Sequence, residues 1–259
     1  MHYYRPLTNK RHVGVLGGTF DPIHFGHLVI AEEVYATLNL AEMVFVPAGQ
    51  PPHKPGRIVT PAHDRLTMLE LAIASNPHFV ISRVDLDRPG PSYTVETLRL
   101  LREQWGEQTA IYFVIGWDSL EDLLDWYDPV GILKQLDHLV AVRRPGYPVP
   151  GGVANETTLG DHSRDPIYRA RGRPYGAQAV GEEHEGKEYL DRLEERLPGI
   201  RQRLIVVPAP QLKISATELR QRVAEGRPVK YQLPEVVEQY ILQHGLYRQT
   251  QVTERPNHR

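Results

Sequence analysis

Two rhythms of apolar and polar positions alternate along the chain. Short apolar runs bounded by Gly and Pro mark strands buried on both faces, and stretches with apolar residues three and four apart mark amphipathic helices. VGVLGG (Val13 to Gly18) is the first such run and reads as a strand entering a glycine turn. FGHLVIAEEVYATLNL follows, with Leu28, Ala31, Tyr35 and Leu38 at helical spacing. MVFVPAG is the next strand and PAHDRLTMLELAIAS the next helix, with Pro61 in its first turn and Leu66, Leu69 and Ile73 on one face. HFVISRVDL reads as a strand, SYTVETLRLLREQWG as a helix capped by Ser92 or Thr94, and AIYFVIG and HLVAVRRPG as further strands. Strands alternating with helices predict an α/β fold: a doubly wound, mostly parallel sheet with helices on both faces.

The pattern breaks over residues 148–186, a Gly-, Arg- and Pro-rich stretch with scattered apolar residues and no period. Such a segment predicts a functional loop or a disordered one. Pattern resumes at KEYLDRLEERL, a helix with Tyr189, Leu190, Leu193 and Leu197 on one face, then RLIVVPAP as a strand. ISATELRQRVAEG and LPEVVEQYILQHGLY read as two closing helices. The expected organisation is a single domain over 11–248, interrupted by a surface insertion at 151–186, with polar tails at 1–10 and 249–259.

Composition narrows the function classes. The chain has 259 residues, 41% apolar and 24% charged, the make-up of an ordinary globular protein. A formal net charge of -2 gives no basic field for nucleic acid. Arg164, Arg169, Arg171 and Arg173 of the insertion invite that partner locally, but EEHEGKE close behind nearly cancels them. Absence of cysteine excludes disulfides, thiolate nucleophiles and cysteine-ligated zinc, and fits a cytoplasmic setting. No run reaches the ~18 apolar residues that span a bilayer, and the polar start MHYYRPLTNKRH has no apolar signal region, so no membrane partner is expected.

The candidate chemistry lies in GGTFDPIHFGH, Gly17 to His27, the first strand-to-helix loop. In an open parallel sheet that loop faces the edge where ligands bind. Gly17 and Gly18 let backbone approach a phosphate closely, and the following helix directs its N–H groups and positive dipole end outward. The spacing is neither the G-x-G-x-x-G dinucleotide fingerprint nor the Gly-Lys-Ser/Thr ending of a P-loop. His24 and His27, at i and i+3, face the same side, either as a metal pair lacking a nearby third ligand or as imidazole donors to phosphate. Asp21 and Pro22 read as loop geometry. Ser215 or Thr217 and the N–H groups opening the ISATELR helix offer a second anion site with Arg220 one turn on. The same residues also fit a capping box, Ser215 with Glu218. Asp118, after the strand ending at Gly116, suits a ribose hydroxyl or a helix cap. On residue type alone, Trp126 suits a place in the core and Lys54 a solvated loop.

His24-Phe25-Gly26-His27 resembles the H-x-G-H signature of the nucleotidyltransferase superfamily, and Ile214 to Arg220 its second signature, I-S-x-T-x-[IL]-R. The ordered set GGTFDPIHFGH, PPHK, PSYT, IGWDSL, WYDP, RRPGYP, ISATELR and LPEVVEQYILQHGLY is similar to the bacterial nicotinate mononucleotide adenylyltransferase family. Phosphopantetheine adenylyltransferases and cytidylyltransferases share the first signature but do not explain PSYT, WYDP and RRPGYP in this order. The resemblance implies adenylyl transfer from ATP to nicotinate mononucleotide, giving deamido-NAD and pyrophosphate, with Mg²⁺ carried mainly by ATP and no protein metal site. Preference for the nicotinamide mononucleotide, or a catalytically silent nucleotide-binding module, are the competing readings.

By that resemblance His24 and His27 are the catalytic residues. ATP would be bound by Gly17, Gly18, Thr19, Phe20, His24, Gly26, His27, Gly116, Asp118, Arg144, Ile214, Ser215, Thr217 and Arg220. Thr19, His53, Lys54, Thr94, Trp126 and Tyr127 would bind the mononucleotide, with the indole on the nicotinate ring. Trp117 occupies a variable position. The sequence is silent on oligomeric state, a homo-oligomer being one option.

Overall fold

The computed structural model describes residues 10–51, 59–143, 155–156, 179–210 and 212–248, with backbone alone for 155–156 and 179–187. Seven strands form one sheet: β1 (Arg11–Gly18), β2 (Glu42–Pro47), β3 (Phe79–Ile81), β4 (Thr109–Gly116), β5 (His138–Arg143), β6 (Asn155–Glu156) and β7 (Leu204–Pro208). Their order is β3-β2-β1-β4-β5-β7-β6, and every neighbouring pair is parallel. Strand order therefore reverses between β1 and β4, which opens a crevice at their carboxyl ends.

Side chains alternate between the two faces of each strand, and each face has its own core. Leu16, Phe45, Tyr112, Val142 and Val207 pack under α1 (Phe25–Leu38), α2 (Ala62–Ile73) and two helices near the end of the chain. Val15, Val46, Phe113, Ile115 and Val206 pack under helices of the other layer. That layer comprises α3 (Thr94–Trp105), α4 (Trp117–Glu121), α5 (Pro129–Gln135), α6 (Ala179–Arg196) and α7 (Ile200–Arg203). The closing pair on the first face is α8 (Ala216–Ala224) and α9 (Glu235–Gln243). Strands covered on both sides must be apolar throughout, which is why they read as continuous runs.

The structure departs from the sequence pattern in several places. Gly17 and Gly18 do not form the turn; they end β1 in register with Val46 and Pro47, and the chain turns only at Phe20, with a φ of 50°. On α1 the buried face is Ala31, Val34 and Leu38, with Leu28 and Tyr35 only half-buried. On α2 it is Asp64, Arg65, Met68, Leu69 and Ile73, two charged positions that an apolar count assigns to solvent. HFVISRVDL yields a strand of only 3 residues, after which the chain curls so that the buried Asp85 accepts from Thr97 and Arg88. Within the expected insertion, Asn155 and Glu156 add to the sheet edge beside β7, and α6 begins at Ala179.

Neither expected cap of α3 is made, since its N-cap is Tyr93 and no side chain bonds there. Ser92 Oγ instead accepts from the N–H groups of Gly49 and Gln50, at 2.9 and 3.3 Å, which joins the loop after β2 to the loop before α3. Gly49 lies so close beneath the Asp85 carbonyl that a Cβ there would enter its van der Waals shell. Because the obstacle is backbone, relief requires moving a loop. Gly49→Ala is expected to lower unfolding free energy by about 1–3 kcal/mol in urea titration, whereas unchanged stability would mean that these loops separate freely.

Candidate active site

Most of the residues singled out in the sequence lie on the loops and helix starts that follow the carboxyl ends of β1, β4 and β7. Phe20, in the left-handed region where a bulky residue is uncommon, turns its ring inward and is 2% exposed. It meets His27 edge-on at 5.1 Å between centroids and Phe45 at 5.8 Å. Its ring is taken up by packing against His27 and Phe45.

His24 caps α1 and stacks on His27, with centroids 3.7 Å apart and planes 24° off parallel. Gly26 permits this arrangement, because a Cβ there would stand 2.9 Å from His24 Nδ1. Burial lowers the His24 pKa to about 4, and burial together with its histidine neighbour holds His27 well below the ordinary range. Both rings are therefore neutral at neutral pH. The His24 backbone N–H donates to His27 Nδ1 at 3.3 Å, which leaves the His27 proton on Nε2. Stacked rings do not converge on a common ion, and among the described residues no group of three or more His, Cys, Asp or Glu gathers. The geometry fits imidazole donors better than the metal-pair alternative.

The loop is held by distant parts of the chain. Asp21 is buried; its carboxylate accepts from Tyr247 Oη at 2.7 Å and from the Thr60 N–H at 3.3 Å. Burial, with Asp21 alongside, pushes the Tyr247 pKa strongly upward, so it stays a donor. The Asp21 carbonyl accepts from Arg220 Nη1 at 2.7 Å, and Arg220 Nη2 donates to Thr217 Oγ1 at 3.2 Å. Arg220 thus couples the ISATELR helix to the first loop. Ser215 is the N-cap of α8 but makes no side-chain cap bond, so the capping-box alternative is not formed. Ser215 and Thr217 are exposed, while the half-buried Ile214 and buried Leu219 anchor the helix start.

Across the crevice, Gly116 ends β4 and caps α4, which removes the capping role from Asp118 and leaves its carboxylate exposed in the first turn. Tyr189 of α6 donates to the Leu120 and Glu121 carbonyls and so fixes the far end of this short helix. Trp117 is half-buried and donates to Glu121 at 3.1 Å. Trp126 sets one edge against Phe113, with centroids 6.4 Å apart, and is half-buried, combining its two alternatives. Tyr127 is 60% exposed and packs on Tyr93 at 4.5 Å, beside Thr94, the first residue of α3. Tyr93, missed by the sequence reading, joins the WYDP loop to the PSYT loop. His53, Lys54 and Arg144 lie outside the described residues.

The chain belongs to the cytidylyltransferase-like family, whose model matches residues 15–222. It is 43% identical over 236 residues to the protein named "Probable nicotinate-nucleotide adenylyltransferase" of Thermomicrobium roseum, covering 91% of each chain. The relative of the same name from Roseiflexus sp. is 42% identical, covering 91% of this chain and 98% of that one. Among solved structures, Plasmodium falciparum nicotinic acid mononucleotide adenylyltransferase complexed with NaAD superposes with a TM-score of 0.61. It covers 92% of this chain and 97% of that one at 15% identity, a likeness that speaks for the fold.

The depressed His24 pKa makes a stability prediction. Between about 4 and 6.5 the unfolded chain binds the proton that the folded chain refuses, so stability falls as pH drops through that window. The contribution of His24 is about 3 kcal/mol over the full window. His24→Asn should therefore lose clearly less stability than the parent between neutral pH and about pH 4.5 in urea titrations. Identical acid sensitivity in both proteins would refute the buried neutral ring.

Proposed function

We propose that this chain transfers the adenylyl group of ATP to the phosphate of nicotinate mononucleotide, giving deamido-NAD and pyrophosphate. The names and coverage of the relatives support the overall reaction. The observation that carries it to this crevice is the neutral histidine stack at the start of α1, bound through Asp21 and Arg220 to the start of α8. Two helix starts and their side chains then face one space, a setting suited to anions.

A mononucleotide phosphate oxygen is anionic at neutral pH and attacks the α-phosphorus of ATP in line. A new P–O bond forms as the bond to the β-phosphate bridging oxygen breaks, and pyrophosphate leaves with that electron pair. No general base is required. The protein's task is to align two repelling anions and to stabilise charge gathering on the leaving group. In this reading His24 and His27 donate to the ATP phosphates, with Ser215, Thr217 and Arg220 on the same triphosphate. ATP enters as its Mg²⁺ complex. Asp118 accepts a ribose hydroxyl, and Thr94, Trp126 and Tyr127 hold the nicotinate. Among the described residues no helix is long and apolar enough to cross a membrane, and a cysteine-free chain suits a cytoplasmic enzyme.

The deciding assay is pyrophosphate release with Mg-ATP and either nicotinate mononucleotide or its amide. A kcat/KM at least ~10-fold higher for the acid is expected, since the amide forfeits a charge-assisted hydrogen bond of roughly 1.5–3 kcal/mol. Equal or reversed values would keep adenylyl transfer but overturn the pocket assigned to Thr94, Trp126 and Tyr127, and no release would leave a nucleotide-binding module. Separately, His27→Ala should lower kcat about 100-fold with the fold retained, the usual cost of removing one preorganised donor. Unchanged turnover would remove His27 from the reaction.

A further inference from the structure

We propose that Arg65 is a positioning residue for the transfer, its buried guanidinium fixing the loop beneath one nucleotide to the loop beneath the other. The inference rests on the adenylyl-transfer reading above and adds to it a residue that the signatures do not contain.

Arg65 lies on α2 and is 1% exposed. Its Nη1 donates to the carbonyls of Thr19 at 2.8 Å and Ala48 at 2.7 Å. Nη2 donates to Gly49 at 3.4 Å, and Nε to Thr60 at 2.9 Å. All four acceptors are main-chain carbonyls from the loops that follow β1 and β2. Burial lowers the Arg65 pKa, a trend the field of Asp21 opposes, and a guanidinium stays charged throughout. Burying a cation against carbonyls is expensive where an apolar side chain would fill the same space. A role in packing alone does not account for it.

The two loops also meet directly, through the Ala48 N–H on the Gly18 carbonyl at 2.9 Å and the Thr60 N–H on the Asp21 carboxylate at 3.3 Å. Neither bond holds the carbonyls of Thr19, Ala48 and Gly49 that lie between these two points. The planar fork adds attachments one residue further along each loop, at Thr19 and at the Ala48 and Gly49 carbonyls, and so fixes their mutual orientation. From Gly49 the linkage continues through Ser92 to Tyr93 and Thr94, on the side assigned to the mononucleotide. Thr19 adjoins the histidine loop assigned to ATP. Arg65 therefore stands where the supports of the two substrates meet, and small displacements of reacting groups carry large rate costs.

The test compares Arg65→Lys, which keeps charge without the fork, and Arg65→Met, which keeps much of the volume without charge. Turnover is expressed per folded site, counted by equilibrium binding of ATP, and the parent is assayed first with both mononucleotides. Expected is a kcat lowered about 30-fold in Arg65→Lys and at least about 100-fold in Arg65→Met, with KM for each nucleotide within about threefold of the parent. Each substrate would still dock on its own loop, and only their alignment would suffer. The proposal is overturned by a kcat per folded site within about threefold of the parent, or by a rise in KM at constant kcat. It is overturned equally if both variants fail to fold in the cold with ATP present, which would assign Arg65 to folding alone. A parent that makes no dinucleotide would sink the adenylyl-transfer reading itself, and this inference with it.

Discussion

The buried carboxylate of Asp21 is the constraint on which the rest of the site depends. It lies on the loop between β1 and α1, and its partners come from far along the chain: Thr60 before α2 and Tyr247 after α9. Its carbonyl is held by Arg220 of α8. A buried acceptor that loses its donor costs more than the bond was worth, so these contacts stand or fall together. The first loop therefore reaches its working shape only when the last helices have docked. This explains why a segment early in the chain and ISATELR near its end act as one site: they are joined by hydrogen bonds to the same residue.

Burial gives the histidine pair its chemical character. An exposed pair would titrate near neutral pH and vary in charge with conditions. The Phe20 ring against His27, and the stacking of His24 on it, keep both rings neutral and fix the His27 tautomer through one backbone N–H. The donors are thus preset before any anion arrives, which is the condition under which hydrogen bonds to developing charge are most effective. Phe20 accepts an uncommon backbone conformation to provide that contact.

Much of the fold was legible in the sequence because two-sided burial writes itself as apolar runs and helix packing as three- and four-residue spacing. The histidine loop and ISATELR were legible because their chemistry is local. Arg65 was not: a charged residue in a helix reads as solvent-facing unless its partners are known, and its partners here are carbonyls on two other loops. Asp21 read as mere loop geometry, because its partner Tyr247 is 226 residues away. Ser92 read as a cap because it precedes a helix, yet its hydroxyl serves the neighbouring loop. The short β3 was overread for a related reason, since the period does not register where Asp85 must turn inward to meet Thr97.

The two ends of the sheet use charge in different ways. At the amino ends of the strands, Asp137 is matched by Arg102 at 2.6 Å and Lys10 at 3.1 Å, with the Ile111 N–H donating at 3.0 Å. Two cations and several donors there serve one carboxylate, an arrangement that closes on itself. At the carboxyl ends, Asp21 lies near the Arg65 and Arg220 guanidinium groups. Both guanidinium groups are turned to backbone carbonyls of the loops. The Asp21 carboxylate is occupied by a neutral hydroxyl and an amide N–H. The charged groups beneath the turn that follows β1 are therefore tied to the main chain and to a neutral hydroxyl, not to one another. Charge at that end of the sheet is thus spent on holding loop backbone in place, at the edge where an open parallel sheet takes its ligands.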